Sequence, residues 1–256
     1  MFEITLFGTT SVRSAPGHRP ARLPASAPRR VLEMICLAGG ATVSADRLAD
    51  QLWEGRPPRS GAATLTAHVA VLRRALQPGV PGRATVVRTA PGGYRLDTDR
   101  VDLDLVRFDR ARAAAAAARG REALARWEEA AFLGARPVLA HEPYAAWAAD
   151  ARRAYRRSAV GAAVSGAQVA LDLGEADRAA LLARTAVDLD PLEEDGWRLL
   201  IVAHGIRNRP VAAARAFGEC RAALLGELGL HPGPGTRSAL RSALDTRGPV
   251  HGELVI

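Results

Sequence analysis

Thr64, Thr66, His68, Arg73 and Arg74 lie within the segment Ala63–Leu76 (ATLTAHVAVLRRAL), and Arg88 and Arg95 follow a little further on. Their hydroxyl, imidazole and guanidinium groups suit hydrogen bonding to phosphate oxygens and base edges, so the chemistry they fit is non-covalent recognition of nucleic acid. Leu65, Val69, Leu72 and Leu76 recur at i, i+4, i+7 and i+11, which on a helix makes one apolar stripe for a core. At about 100° per residue the opposite face carries Ala63, Ala67, Ala70, Val71 and Arg74, with Thr64, Thr66, His68 and Arg73 on its flanks. Small side chains there let a backbone sit close to base edges. Periodicity alone equally describes an ordinary amphipathic surface helix, and the neighbouring segments decide between the two.

After that helix, Thr85–Leu96 (TVVRTAPGGYRL) runs through Val86, Val87, Arg88 and Thr89 into Ala90-Pro91-Gly92-Gly93, then resumes with Tyr94, Arg95 and Leu96. Pro at the second and Gly at the third position of a four-residue turn is type II chemistry, because Pro fixes φ and Gly tolerates a positive φ. A hairpin with Arg88 and Arg95 on its two arms is the prediction. Upstream, Pro28–Ala38 reads as a helix burying Val31, Leu32, Ile35 and Ala38 and ended by Gly39-Gly40. Ser44 is an N-cap for a second helix burying Ala45, Leu48, Ala49 and Leu52. Phe2, Ile4 and Leu6 alternate with Glu3 and Thr5 as in a half-buried strand. The order is strand, helix, helix, recognition helix and β-wing.

The charge balance agrees. Of the net +8 carried by 256 residues, residues 1–100 hold 14 Arg against 7 carboxylates, a balance of +7, while residues 101–256 are nearly neutral at +1. A basic excess on one half is what counterion release from phosphates requires. All 35 positive residues are Arg and none is Lys, which excludes a P-loop and any Schiff-base chemistry. His18, His68, His141, His204, His231 and His251 are scattered without metal-ligand spacing, and His141-Glu142 runs into Pro143 instead of completing an HExxH helix. No Ser/His/Asp or Cys/His pattern stands out, so the reading is not an enzyme, with no cofactor or metal. Cys36 and Cys220 read as buried small apolar residues in a reducing compartment. No apolar run approaches a membrane span, and a cytoplasmic protein is expected.

Beyond Asp104 the pattern turns helical. An Ala-rich run over Val106–Ala118, a break at Gly120, a return helix over Arg121–Leu133 and a long helix from about Tyr144 to Leu173 come first. Then Ala179, Ala183, Ala186 and Pro191 recur 34 positions later as Ala213, Phe217, Cys220 and Leu225, with Trp197 and Leu200 in the facing helix. That period is the tetratricopeptide pattern, a stack of helix pairs, here degenerate at Gly166 where Leu is usual. A third pair carries Ala123, Trp127 and Ala130 at the equivalent offsets. Leu228–Gly235 (LGLHPGPG) precedes a closing helix over Thr236–Asp245. Trp127, Trp147, Trp197 and Phe217 read as core fillers, and Arg152, Arg153, Arg156 and Arg157 as a solvated basic face. The fold expected is mainly α with a small β component, a winged helix-turn-helix over 1–102 followed by an all-α, tetratricopeptide-like domain over 103–256.

Ser44–Trp53 (SADRLADQLW), His68–Leu76 (HVAVLRRAL), Gly93-Tyr94, Asp104–Phe108 (DLVRF) and Glu227–Gly235 (ELGLHPGPG), in this order and spacing, resemble the Streptomyces antibiotic regulatory proteins. In that family an OmpR-type winged helix precedes a bacterial transcriptional activation domain. The resemblance implies activation of a biosynthetic gene cluster, homodimers on direct repeats in promoter DNA, and contact with RNA polymerase. It also implies that His68 and Arg73 touch phosphates and that Arg88 approaches the minor groove from the wing. This chain departs at Ala70 and Val71, which stand where relatives commonly have polar or basic residues. Those two side chains can read only thymine methyls or DNA shape, leaving specificity to Thr64, Thr66, Arg74, the wing and repeat spacing. The alternative reading is a helical-repeat adaptor whose winged helix has lost DNA affinity, favoured by Ala70 and Val71 and opposed by the +7 balance.

Overall fold

The alternation of Ile4 and Leu6 with Glu3 and Thr5 makes a strand that buries Ile4 completely, with Leu6 buried just after it and Phe2 half-buried at its start. In the computed structural model, which describes residues 2–13, 21–24 and 26–245, this strand, β1 (Phe2–Thr5), is central in a three-stranded sheet. It pairs antiparallel with β2 (Ser11–Arg13) and parallel with β6 (Val101–Leu103). His18 and His251 lie outside the described residues.

Three helices follow the expected stripes. Helix α1 (Ala27–Leu37) has Pro in its first turn and buries Val31, Leu32 and Ile35; Ala38 is its C-cap and only half-buried, and Gly39 and Gly40 at positive φ end it. Ser44 Oγ accepts from Arg47 N at 3.2 Å to cap α2 (Ala45–Leu52), which buries Leu48 and Leu52. Helix α3 (Gly61–Leu76) buries Leu65, Val69, Leu72 and Leu76, and the three helices pack on one another. The second sheet has the order β3-β5-β4, from β3 (Val43–Ser44), β4 (Val87–Ala90) and β5 (Gly93–Leu96). Pro91 and Gly92 form the two-residue connection of the β4–β5 hairpin, with Gly92 at φ 73° as the turn requires.

Two compact units result, Met1–Arg110 with Arg136–Tyr155, and Ala111–Ala135 with Arg156–Ile256. The division falls within helices α4 (Asp104–Ala117) and α6 (Ala149–Asp172). In the first unit Asp104 is buried and its carboxylate accepts from the backbone N–H of Leu6 and of Phe7, both at 2.8 Å, so the first residue of α4 fixes the exit of β1. Burial pushes the Asp104 carboxyl up, opposed by those backbone donors. Phe108 packs edge-on against Phe7 and Tyr155. The segment after residue 136 returns to β1 and α1. Gly8 N donates to Pro137 O at 2.9 Å, Leu139 N to Leu6 O at 2.8 Å, and Arg30 grips Glu142 at 3.1 Å. His141 Nε2 meets the fully buried Glu33 carboxylate at 2.9 Å, and burial raises the Glu33 pKa. The His141-Glu142 pair is therefore a clasp between chain segments. The helix expected from about Tyr144 begins at Ala149, because Arg152 donates to the carbonyls of Glu142 (2.5 Å) and Ala145 (2.8 Å) and holds the preceding residues in turns.

The second unit is helical, with α5 (Gly120–Gly134), the rest of α6, α7 (Ala176–Leu189), α8 (Glu194–Ile206), α9 (Pro210–Leu228) and α10 (Pro234–Asp245). Helix α8 packs against α7, α9 and α10. Ala179, Ala183, Ala186, Ala213 and Cys220, the small positions of the 34-residue recurrence, are fully buried, whereas Pro191 and Leu225 are exposed. Trp197 is buried and its indole N–H donates to Pro191 O at 2.8 Å, while Trp127, Trp147 and Phe217 are half-buried. Gly166 explains its own departure from the repeat pattern: a Cβ there would stand 2.9 Å from Trp127 Cβ and 3.1 Å from Leu182 Cδ1. The glycine makes room for Trp127. In the LGLHPGPG segment Gly229 takes φ 68° to cap α9, and Glu194 Oε1 accepts from Gly233 N (2.6 Å) and Thr236 Oγ1 (2.5 Å). The basic strip is partly consumed by ion pairs, Arg153 with Asp150 and Arg156 with Asp190 at 3.2 Å.

Candidate nucleic-acid interface

Because α3 spends one stripe on the core, its other face is left to solvent. Ala63, Thr66, Ala67, Ala70, Val71 and Arg74 are exposed, Val71 at 40%, and Thr64, His68 and Arg73 flank them half-buried. The hydroxyls of Thr64 and Thr66 donate back to the carbonyls of Ser60 (3.0 Å) and Ala62 (2.9 Å), so each presents its lone pairs outward as an acceptor. The His68 ring lies 6.5 Å from that of Trp53, the residue that closes α2. Arg74 makes no side-chain hydrogen bond or ion pair among the described residues.

Arg73 reaches from α3 to the wing. Its Nε donates to Val87 O at 3.0 Å, one terminal nitrogen donates to Thr89 Oγ1 at 2.8 Å, and the guanidinium stands 5.9 Å from the centre of the Tyr94 ring. Partial burial lowers its pKa from the ordinary arginine value, opposed by Tyr94. It is a strut between α3 and the wing. Thr89 pairs with Tyr94 and Arg88 with Arg95 across the hairpin, and side chains alternate along a strand, so Arg88 and Arg95 occupy the face opposite the strut. Two like charges directly opposed repel. Asp97 relieves this by binding Arg88 at 2.8 Å and 3.0 Å, leaving Arg95 exposed with no side-chain partner among the described residues. Around them lies an open polar hollow of about 500 Å³, lined also by Thr89 and Asp99.

The wing is held onto the helices by close backbone approach. Val43 pairs with Tyr94 and Ser44 with Gly93, and a Cβ on Gly93 would fall 2.0 Å from Val43 O. Only glycine fits. Ala45 N donates to Gly92 O at 2.9 Å, so the turn of the hairpin also ties down the first residue of α2. Of the seven residues singled out from sequence, Thr64, Thr66, His68 and Arg74 share the outward side of α3, Arg73 joins helix to wing, and Arg88 and Arg95 share the far face of the hairpin. The loop between α2 and α3 adds Arg56 and Arg59, exposed and without side-chain partners among the described residues. Their signal was readable as two arginines flanking Pro57-Pro58 immediately before the recognition helix.

A helix-turn-helix whose third helix leaves a face free beside a β-hairpin defines the class of winged-helix DNA-binding transcription regulators. The comparisons agree: residues 24–96 match the model described as "Transcriptional regulatory protein, C terminal", and residues 103–244 the "Bacterial transcriptional activator domain". The chain belongs to the Streptomyces antibiotic regulatory protein family. It is 31% identical over 226 residues to the regulatory protein DnrI of Streptomyces peucetius, covering 80% of this chain and 79% of the relative. It is 29% identical over 233 residues to the transcriptional regulatory protein MoaR1 of Mycobacterium tuberculosis, covering 88% and 75%. The solved structure of Mycobacterium tuberculosis EmbR, in complex with a low-affinity phosphopeptide, superposes with a TM-score of 0.73 at 26% identity, over 95% of this chain and 65% of that one. These relatives are transcription regulators and not enzymes. Among the described residues no helix is long and apolar enough to cross a membrane, and no group of three or more His, Cys, Asp or Glu is placed to hold a metal ion.

Proposed function

We propose that this protein activates transcription of a secondary-metabolite gene cluster, binding direct repeats in promoter DNA as a homodimer and contacting RNA polymerase. The observation that carries the reading is the solvent face of α3, small side chains flanked by Thr64, Thr66, His68 and Arg74, next to a wing whose Arg95 has no side-chain partner among the described residues. Small residues allow close approach to the groove and the arginines supply phosphate contacts, so affinity is mostly electrostatic and specificity comes from shape, the threonine acceptors and repeat spacing. Residues 1–102 carry the DNA contacts. Residues 103–256, nearly neutral, supply partner surfaces. Direct repeats place two copies in the same orientation, which calls for a head-to-tail contact between them.

A gel shift of the full chain on one and on two repeats of a promoter from its own gene neighbourhood tests this. Cooperative filling of two repeats and weaker occupancy of one are expected; equal affinity for random duplex at physiological salt would sink it. Val71→Arg adds a charge to the exposed face and should tighten binding to any duplex.

A further inference from the structure

The helical unit contains a second concentration of positive charge, away from the winged helix in sequence. A hollow of about 530 Å³ opens at the start of α9, lined by Arg184, His204, Arg209, Arg215, Pro210 and Val211 among others, and no carboxylate lines it. Arg184 is fixed in place by Glu219 at 2.9 Å and by the Trp197 ring, whose centre lies 5.4 Å from its guanidinium carbon. Arg209 and Arg215 are exposed and make no side-chain hydrogen bond or ion pair among the described residues, so their charges face the hollow uncompensated. The Nδ1 of the half-buried His204 is buried without a partner among the described residues. Arg209 occupies the N-cap position of α9 and has no side-chain acceptor to offer; Pro210 has no N–H, so the N–H groups of Val211 and Ala212 are the ones left without a side-chain cap. The remaining lining is Asn208 and an apolar side made of Pro210, Val211, Ala212 and Ala216.

Like charges gathered around a concave surface with no carboxylate in its lining are stabilised by an anion that enters, and the Asn208 side chain at the rim can turn its amide N–H groups to it. The volume falls in the range of small-molecule sites. We propose that this hollow binds a small organic anion, a phosphate or carboxylate carried on an apolar body, and so gives the helical unit a ligand site separate from the DNA-binding face. Arg209, Arg215 and the start of α9 hold the anionic head, Arg184 stands as a fixed post at the wall, and the Pro210–Val211 side receives the apolar part. A nucleic acid is a poorer occupant, because residues 101–256 carry a balance of only +1.

The test is a titration of the full chain with phenyl phosphate, benzoate, inorganic phosphate and neutral benzyl alcohol, followed by calorimetry and by the imidazole NMR signals of His204. Burial, with Arg207, Arg184 and Arg209 nearby, holds the His204 pKa below its usual value, so a bound anion should raise it. Saturable binding of phenyl phosphate or benzoate is expected, whichever binds tighter naming the head group, with inorganic phosphate weaker and benzyl alcohol silent. Arg209→Gln and Arg215→Gln should each weaken binding about tenfold. Arg95→Gln, on the wing, should leave it unchanged. The proposal is overturned if neither organic anion moves the His204 signals, or if binding survives Arg209→Gln and Arg215→Gln in folded protein. It is equally overturned if binding disappears with Arg95→Gln, which would place the anion on the DNA-binding unit.

Discussion

Arg73 and Arg74 are adjacent in sequence and have opposite fates. Arg74 is exposed and without a side-chain partner among the described residues, whereas Arg73 spends two hydrogen bonds on Val87 O and Thr89 Oγ1 and a contact on Tyr94. Arg73→Ala should therefore lower stability by about 1–2 kcal/mol, since two net hydrogen bonds are lost. It should also weaken specific and random duplex alike by loosening the wing. Arg73→Lys should not restore it, as an ammonium cannot span both acceptors. An unchanged urea midpoint in Arg73→Ala would contradict the strut. The helical period of Leu65, Val69, Leu72 and Leu76 made the buried side of α3 legible, but it gives only the direction of each Cβ. Which arginine reaches a strand 14 residues away depends on hairpin placement, and periodicity is silent on that. Burial of Cys36 and Cys220 was legible from their apolar settings, and it pushes the Cys220 thiol up to about 11 and that of Cys36 well above its ordinary 9.0. Unfolded thiols ionise first, so the folded state binds more protons above pH 9 and stability should fall as pH rises from about 9 towards 11. Native protein should also be inert to a thiol-reactive dye at pH 8 and react only on unfolding. Rapid labelling of the native chain would refute the packing described for both cysteines.

Two glycines govern how elements approach one another, one in the wing and one in the helical unit. Gly93→Ala forces a methyl to within 2.0 Å of Val43 O, and the pairing of β3 with β5 must open. A loss of about 3 kcal/mol or more is expected by denaturant melt, together with loss of DNA binding. Wild-type stability in that variant would mean that the strands are not in this register. Gly166→Leu, which restores the residue usual at that repeat position, should destabilise by about 1–3 kcal/mol, because the side chain of Trp127 already fills the space. A melting temperature at or above that of the parent would contradict this packing. The Gly93-Tyr94 motif was legible as a hairpin signal, but its steric reason was not, since β3 contributes only two residues and no alternation. The parallel pairing of β6 with β1, and the return of residues 136–148 through His141 and Glu142, also left no local signal. Long-range pairing has no period to read. It has a practical consequence: a fragment ending at residue 102 lacks Leu103, which pairs with Ile4, and Asp104 and Phe108, which anchor Leu6 and Phe7, so weak DNA binding by that fragment would reflect lost stability of β1.

At the scale of the whole molecule, the separation of charge is the feature that links sequence to function. The +7 on residues 1–100 is not used up by the fold: Arg56, Arg59, Arg74 and Arg95 remain exposed and unpaired among the described residues, while Arg88 is neutralised by Asp97. The helical unit instead pairs many of its arginines, as Arg178 with Glu128 and Glu175, and Arg207 with Asp177. DNA affinity should thus scale with the free arginines of the winged helix. The most direct measurement is fluorescence anisotropy of the full chain on a duplex across a range of salt. A steep linear fall of log affinity with log salt is predicted, made shallower by about 0.9 in each of Arg74→Ala and Arg95→Ala and unaltered in Arg209→Gln. A flat salt response, or slopes unmoved by loss of Arg74 and Arg95, would contradict the assignment of this face to DNA.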